Sequence, residues 1–214
     1  MIVRVAVSDR DLEQAGTVAH IGPWRVTTLG DAAADDADLS PEEARRVQAT
    51  QAPHAAESRR AAYALRRRLL AAWAGADCAA IVAPAFRAPD GHGAHVSLSH
   101  TQGGVAVACA AGPVGVDIER IVPHPTAVRV ARRVFAGEDH VAIADAAPDE
   151  AAWAFTWRWC AKEALLKATG LSFTAAMATA MGPHADAPFV RGVRGVSIAV
   201  FRPAPGFACA VARA

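Results

Sequence analysis

The feature that most limits the fold is an echo between two distant strand-like runs. Gly104-Val105-Ala106-Val107-Ala108-Cys109 is similar to Gly206-Phe207-Ala208-Cys209-Ala210-Val211, and each follows a long helical stretch at a comparable distance. The first stretch runs from about Ala55 to Ala74 and stops at Gly75. The second, from Asp149 to Thr169, opens after Pro148 and is closed by Gly170. Proline fits the first helical turn, where its missing N–H has no partner to lose, and glycine takes the left-handed conformation that ends a helix. The expectation is an α+β chain of two similar halves, residues 1–113 and 114–214, meeting near residues 111–125. A chain of 214 residues, 53% of them apolar, suffices for one ordinary domain or two small ones.

The remaining pattern fills in those halves. Ile2 to Val7 and Val26 to Leu29 read as strands. Ser40-Pro41-Glu42-Glu43 is a helix start: Ser as N-cap, Pro at the first helical position and Glu43 closing a capping box. Pro84 to Gly93 reads as a loop, Val96 to Leu98 and Val114 to Ile118 as strands, and Thr126 to Phe135 as helix. Val196 to Val200 and Phe207 to Val211 end the chain as strands. The formal net charge of +1 singles out no partner by bulk electrostatics, although Arg59, Arg60, Arg66, Arg67 and Arg68 crowd one helix. The N-terminal run carries charge and reads as a strand rather than a signal peptide, and no apolar run is long enough to span a bilayer. Cys78, Cys109, Cys160 and Cys209 form no CxxC pair and read as reduced, mostly buried thiols of a cytoplasmic protein.

The chemistry concentrates in two segments. In Gly115-Val116-Asp117-Ile118-Glu119-Arg120, a strand puts Asp117 and Glu119 on one face and Ile118 on the other. Neighbouring carboxylates repel unless they are solvated or share a cation. In Trp157 to Gly170, Trp159, Glu163 and Lys167 fall on one helical stripe, and Trp153, Phe155, Trp157 and Trp159 suggest an aromatic flank. Taken separately, each has an ordinary reading: solvated acids at a strand end, and an exposed Glu–Lys pair on an amphipathic helix.

Together the segments resemble the 4′-phosphopantetheinyl transferase family, in its larger surfactin-synthetase-activator type. Its strand signature G-[IV]-D-x-E is matched by Gly115 to Glu119. Its helix signature W-x-x-K-E-[AS]-x-x-K is matched by Trp159-Cys160-Ala161-Lys162-Glu163-Ala164-Leu165-Leu166-Lys167, in the variant with Ala164. Ser97-Leu98-Ser99-His100-Thr101 matches the Ser-His step of the preceding strand, so the likeness covers about Val96 to Gly170.

The resemblance implies two α+β halves packed as a pseudo-dimer within one chain, the site in the cleft between them, and a monomer. It implies transfer of phosphopantetheine from coenzyme A to a serine of an acyl, peptidyl or aryl carrier protein, with release of 3′,5′-ADP. It implies Mg²⁺, with Mn²⁺ as a substitute, on Asp117, Glu119 and Glu163. Glu163 would take the serine proton, Lys167 would serve the leaving group, and Lys162 would lie near the pyrophosphate in a positioning role. Ser99 and His100 would meet coenzyme A phosphate. Arg46, Arg59 and Arg60 would meet its 3′-phosphate, and Arg87, in Arg87-Ala88-Pro89, would replace the basic residue the family carries before proline.

Three other readings stay open on sequence. The arginine-rich helix would suit nucleic acid or an acidic partner, but leaves the acidic strand and the Glu163 helix without a role. A non-catalytic coenzyme A binder would not need the complete set of acids and lysines. His92, His95 and His100 lack the fixed helical face and the cysteines of a zinc site.

Overall fold

The computed structural model describes residues 2–10, 16–21, 23–29, 39–77, 81, 93–135, 137–182 and 195–214. Arg87, Cys78, His92 and all of the expected Pro84–Gly93 loop except Gly93 lie outside these residues. The chain forms two compact units, Met1–Val114 and Gly115–Ala214.

The first unit contains β1 (Val3–Ser8), β2 (Thr17–Ile21), β3 (Trp24–Leu29), α1 (Pro41–Gln48), α2 (Pro53–Ala74), β4 (His95–Thr101) and β5 (Gly104–Ala110). Its sheet has the order β2-β3-β1-β5-β4, with β1 parallel to β5 and the other pairs antiparallel. Every residue of β5 is buried. Leu65, Leu69, Leu70 and Trp73 of α2 share a core with Val105, Val107 and Cys109. Ser40 and Glu43 exchange both hydrogen bonds of the expected capping box. Helix α2 ends at Gly75, whose φ of 62° no other residue type adopts cheaply.

The second unit contains β6 (Val114–Arg120), α3 (His124–Val134), α4 (Glu138–Ala144), α5 (Pro148–Thr169), α6 (Phe173–Ala178), β7 (Ser197–Phe201) and β8 (Phe207–Arg213). Its sheet has the order β6-β8-β7. In both units the last strand lies between the first and the penultimate one, and a 22-residue helix packs on that central strand: α2 on β5, α5 on β8. The two runs of the sequence echo thus fall on β5 and β8, each the strand its unit's long helix packs on, although the first sheet has five strands and the second three.

Helix α5 is covered on two sides. Trp157, Cys160, Ala161, Ala164, Leu165 and Ala168 share a core with Ala208, Ala210 and Ala212 of β8. Phe155 joins Phe135, Ile143 and Met177 from the helical layer, with Trp159 packed against them. The expected single aromatic flank is therefore wrong: residues two apart on a helix point to nearly opposite sides, so Trp157 faces the sheet while Phe155 and Trp159 face α3, α4 and α6. Cys109, Cys160 and Cys209 are buried free thiols. Among the described residues, no helix is long and apolar enough to cross a membrane.

Candidate active site

The approach of α5 to β6 is set by a missing side chain. A Cβ on Gly115 would stand 1.9 Å from the carbonyl oxygen of Ala164 and 2.7 Å from the backbone nitrogen of Ala168. Glycine at this point lets the helix backbone lie directly on the strand. Alternation puts Asp117 and Glu119 on the same strand face as Gly115, so both acids follow it toward α5. Val116 and Ile118, at 0% exposure, anchor the strand from its other face.

Asp117 is buried at 4% exposure, whereas Glu119 is half-buried. Lys167 reaches across from α5 and donates to Val116 O and to Asp117 Oδ1, each at 2.9 Å. Burial and the charge of Asp117 together push the Glu163 carboxyl above its ordinary range, and Lys167 opposes that shift. Asp117, Glu163 and Lys167 are thus one electrostatic group. Behind it, burial and then the Asp117 charge push the Cys160 thiol well up, so it stays protonated.

The site fits a divalent cation in donor chemistry: carboxylates are the hard oxygen ligands Mg²⁺ prefers, and Asp117 already holds a cationic group. Among the described residues, no group of three or more His, Cys, Asp or Glu is drawn together closely enough to hold a metal by itself.

Lys162 is not in this group. It is fully buried, one helical position before Glu163 and on a different side of α5. Its Nζ donates to Met177 O at 2.9 Å and to Thr179 O, pairs with Asp139 Oδ2 at 2.8 Å, and lies 4.8 Å from the Phe135 ring centre. Arg158 Nε meets the other oxygen of Asp139 at 3.1 Å, and Met181 N donates to Asp139 Oδ2. The lysine expected near a pyrophosphate is instead part of a buried knot tying α4 and the segment after α6 to α5. Its partner Asp139 has no motif and lies far off in sequence, so only the fold reveals the pairing.

In the first unit, Arg46 pairs with Glu42 at 2.6 Å, and Arg59 donates to Thr50 Oγ1 at 2.8 Å and to Arg46 O at 3.5 Å. Arg46 and Arg59 thus come together where α1 meets α2, and the half-buried Arg60 follows on α2. Ser58 donates to Thr101 O, placing the start of α2 at the end of β4 that carries Ser99, which is buried, and His100, which is exposed. Arg66 and Arg67 form no solvated face. They are buried at 4% and 5% exposure and pair with Glu43 at 2.5 and 3.4 Å. The capping-box glutamate therefore also pairs with two buried arginines, whose burial removes them from any nucleic-acid surface.

Glu119, Thr156 and Trp159 border a cavity of about 230 Å³ whose other walls, Val122, Thr126, Val130 and Phe155, are mostly apolar. Thr156 Oγ1 accepts from Val122 N at 3.0 Å, fixing the chain as it leaves β6. No curated protein matches the chain. Residues 113–199, which hold Asp117, Glu119, Glu163 and Lys167, match the family model of the 4′-phosphopantetheinyl transferase superfamily.

Proposed function

We propose that the chain transfers 4′-phosphopantetheine from coenzyme A to a serine of an acyl or peptidyl carrier protein and releases 3′,5′-ADP. The observation that carries this reading is the meeting of Asp117 with Lys167 and Glu163 across the Gly115 contact, inside the segment that matches the family model. That match supports a transferase. In each unit a 22-residue helix packs on the strand between the first and the penultimate one, which supports the larger, two-half type of transferase; Ala164 supports the branch that carries alanine there.

In this reading Asp117, Glu119 and Glu163 hold Mg²⁺, or Mn²⁺ in its place. When bound, the ion neutralises charge on the phosphates of coenzyme A. The serine oxygen bonds to the phosphorus of the phosphopantetheine group, and the bond from that phosphorus to the 3′,5′-ADP oxygen breaks. Glu163 accepts the serine proton as the general base. Lys167 donates a hydrogen bond to the departing oxygen, where negative charge develops. In the first unit, Ser99 and His100 bind phosphate, and Arg46, Arg59 and Arg60 bind the 3′-phosphate; Arg87 supplies a further basic contact. Lys162 supports Glu163 from inside the unit and does not touch substrate.

The test is mass spectrometry of an apo carrier protein incubated with the chain, coenzyme A and Mg²⁺. The reading requires the mass of one phosphopantetheine on the carrier serine and none with EDTA. Coenzyme A binding without that mass would make the chain a non-catalytic binder and end the proposal.

A further inference from the structure

The Lys167 ammonium has two calls on it. In the structure it neutralises Asp117. In the proposed reaction it serves the phosphate, and the inference below rests on that reading. It cannot do both once a dication sits on Asp117, because an ammonium held on Oδ1 of the same carboxylate would be repelled at contact distance. Nor is its present position casual. It donates to Val116 O as well as to Asp117 Oδ1, each at 2.9 Å, and its carboxylate partner is buried while its own side chain keeps 26% exposure. The ammonium is therefore the member of the pair with access to solvent. Glu163 stands near enough to feel both charges.

We infer that Lys167 is a resident counter-ion that couples metal binding to coenzyme A binding: it occupies Asp117 when neither ligand is present, and it moves to the substrate phosphate as the cation takes its place. A metal ion arriving alone must displace the ammonium and leave it without a comparable partner beside a dication. A phosphate arriving with the metal supplies that partner. By linkage, each ligand then tightens the other by the same factor.

Calorimetric Mn²⁺ titration of the full chain, with and without coenzyme A and without carrier protein, separates this coupling from turnover. Lys167→Met and Lys167→Ala should each bind Mn²⁺ alone about tenfold or more tightly than the parent, the lower end of the effect an adjacent opposite charge has on a carboxylate's proton affinity. In both variants, coenzyme A should tighten Mn²⁺ by a smaller factor than in the parent. Asp117→Asn should lose the tight Mn²⁺ site in every background. If the variants bind Mn²⁺ like the parent and keep its coupling factor, the counter-ion role is refuted while the metal site stands. If no form binds Mn²⁺ with or without coenzyme A, the metal reading falls and takes this inference with it.

Discussion

Gly115→Ala tests the geometry on which everything at the site depends. The added methyl would sit 1.9 Å from Ala164 O, against the 3.4 Å at which ordinary contact begins. Both obstructing atoms are helix backbone, so no side chain can turn aside, and α5 must move off β6 by about 1.5 Å or the strand must yield equally. Overpacking of this kind costs about 1–3 kcal/mol, which leaves an ordinary domain folded. A displacement of about 1 Å at a reacting centre, by contrast, can cost about 10²-fold in rate. The variant should therefore keep its circular dichroism spectrum, lose about two orders of magnitude in single-turnover transfer, and need more Mg²⁺ to reach half its rate. Val200→Ala is the control: Val200 shares a core with α5, and its truncation should lower stability without moving the acids. If Gly115→Ala transfers within a few-fold of the parent, or if Val200→Ala loses as much rate, the close contact does not set the spacing of the site.

Lys162→Met leaves Asp139 buried but still paired with Arg158; the loss in urea unfolding should therefore be measurable yet below the about 3–5 kcal/mol of an uncompensated buried charge, with little change in the KM for coenzyme A, whereas a raised KM at unchanged stability would return Lys162 to the substrate. Because the Glu163 carboxyl is raised in the fold above its ordinary 4.5, its ionised form costs stability at pH above the folded value and costs nothing below the unfolded one. In EDTA, Glu163→Gln should thus match the parent near pH 4 and be the more stable protein at pH 7; equal pH profiles would contradict the shift. Replacing Arg46, Arg59 or Arg60 by Ala should raise the KM for coenzyme A more than that for dephospho-coenzyme A, and equal effects on both would make these arginines surface.

Much of this architecture can be read from residues whose effects are local. Pro148 and Gly170 bracket α5, Ser40 and Glu43 open α1, and alternation in Gly115 to Glu119 puts both acids on one face, because each signal acts within a few residues. Short or one-sided elements leave weaker traces. Helix α4 has seven residues and α6 six, too few to show a helical period. Strand β2 is an exposed sheet edge with a single neighbour, so nothing imposes alternation on it. Long-range charge pairing leaves none: Lys162 reads as a motif lysine until Asp139 is brought beside it, and Arg66 and Arg67 read as a basic face until Glu43 is folded onto them. The glycine of the strand signature is legible as a letter, but its reason, the backbone of α5 resting against it, exists only in three dimensions.

The central claim is that Glu163 is chemistry and not helix surface, and Glu163→Gln in single-turnover transfer at saturating Mg²⁺ tests it most directly. The substitution keeps size and removes one charge. An exposed Glu–Lys pair contributes only about 0.3–0.5 kcal/mol, whereas loss of a general base alone lowers a rate by about 10²–10⁴-fold. The account predicts a folded protein that transfers almost no phosphopantetheine to the carrier serine. A Glu163→Gln variant that runs within a few-fold of the parent would contradict it.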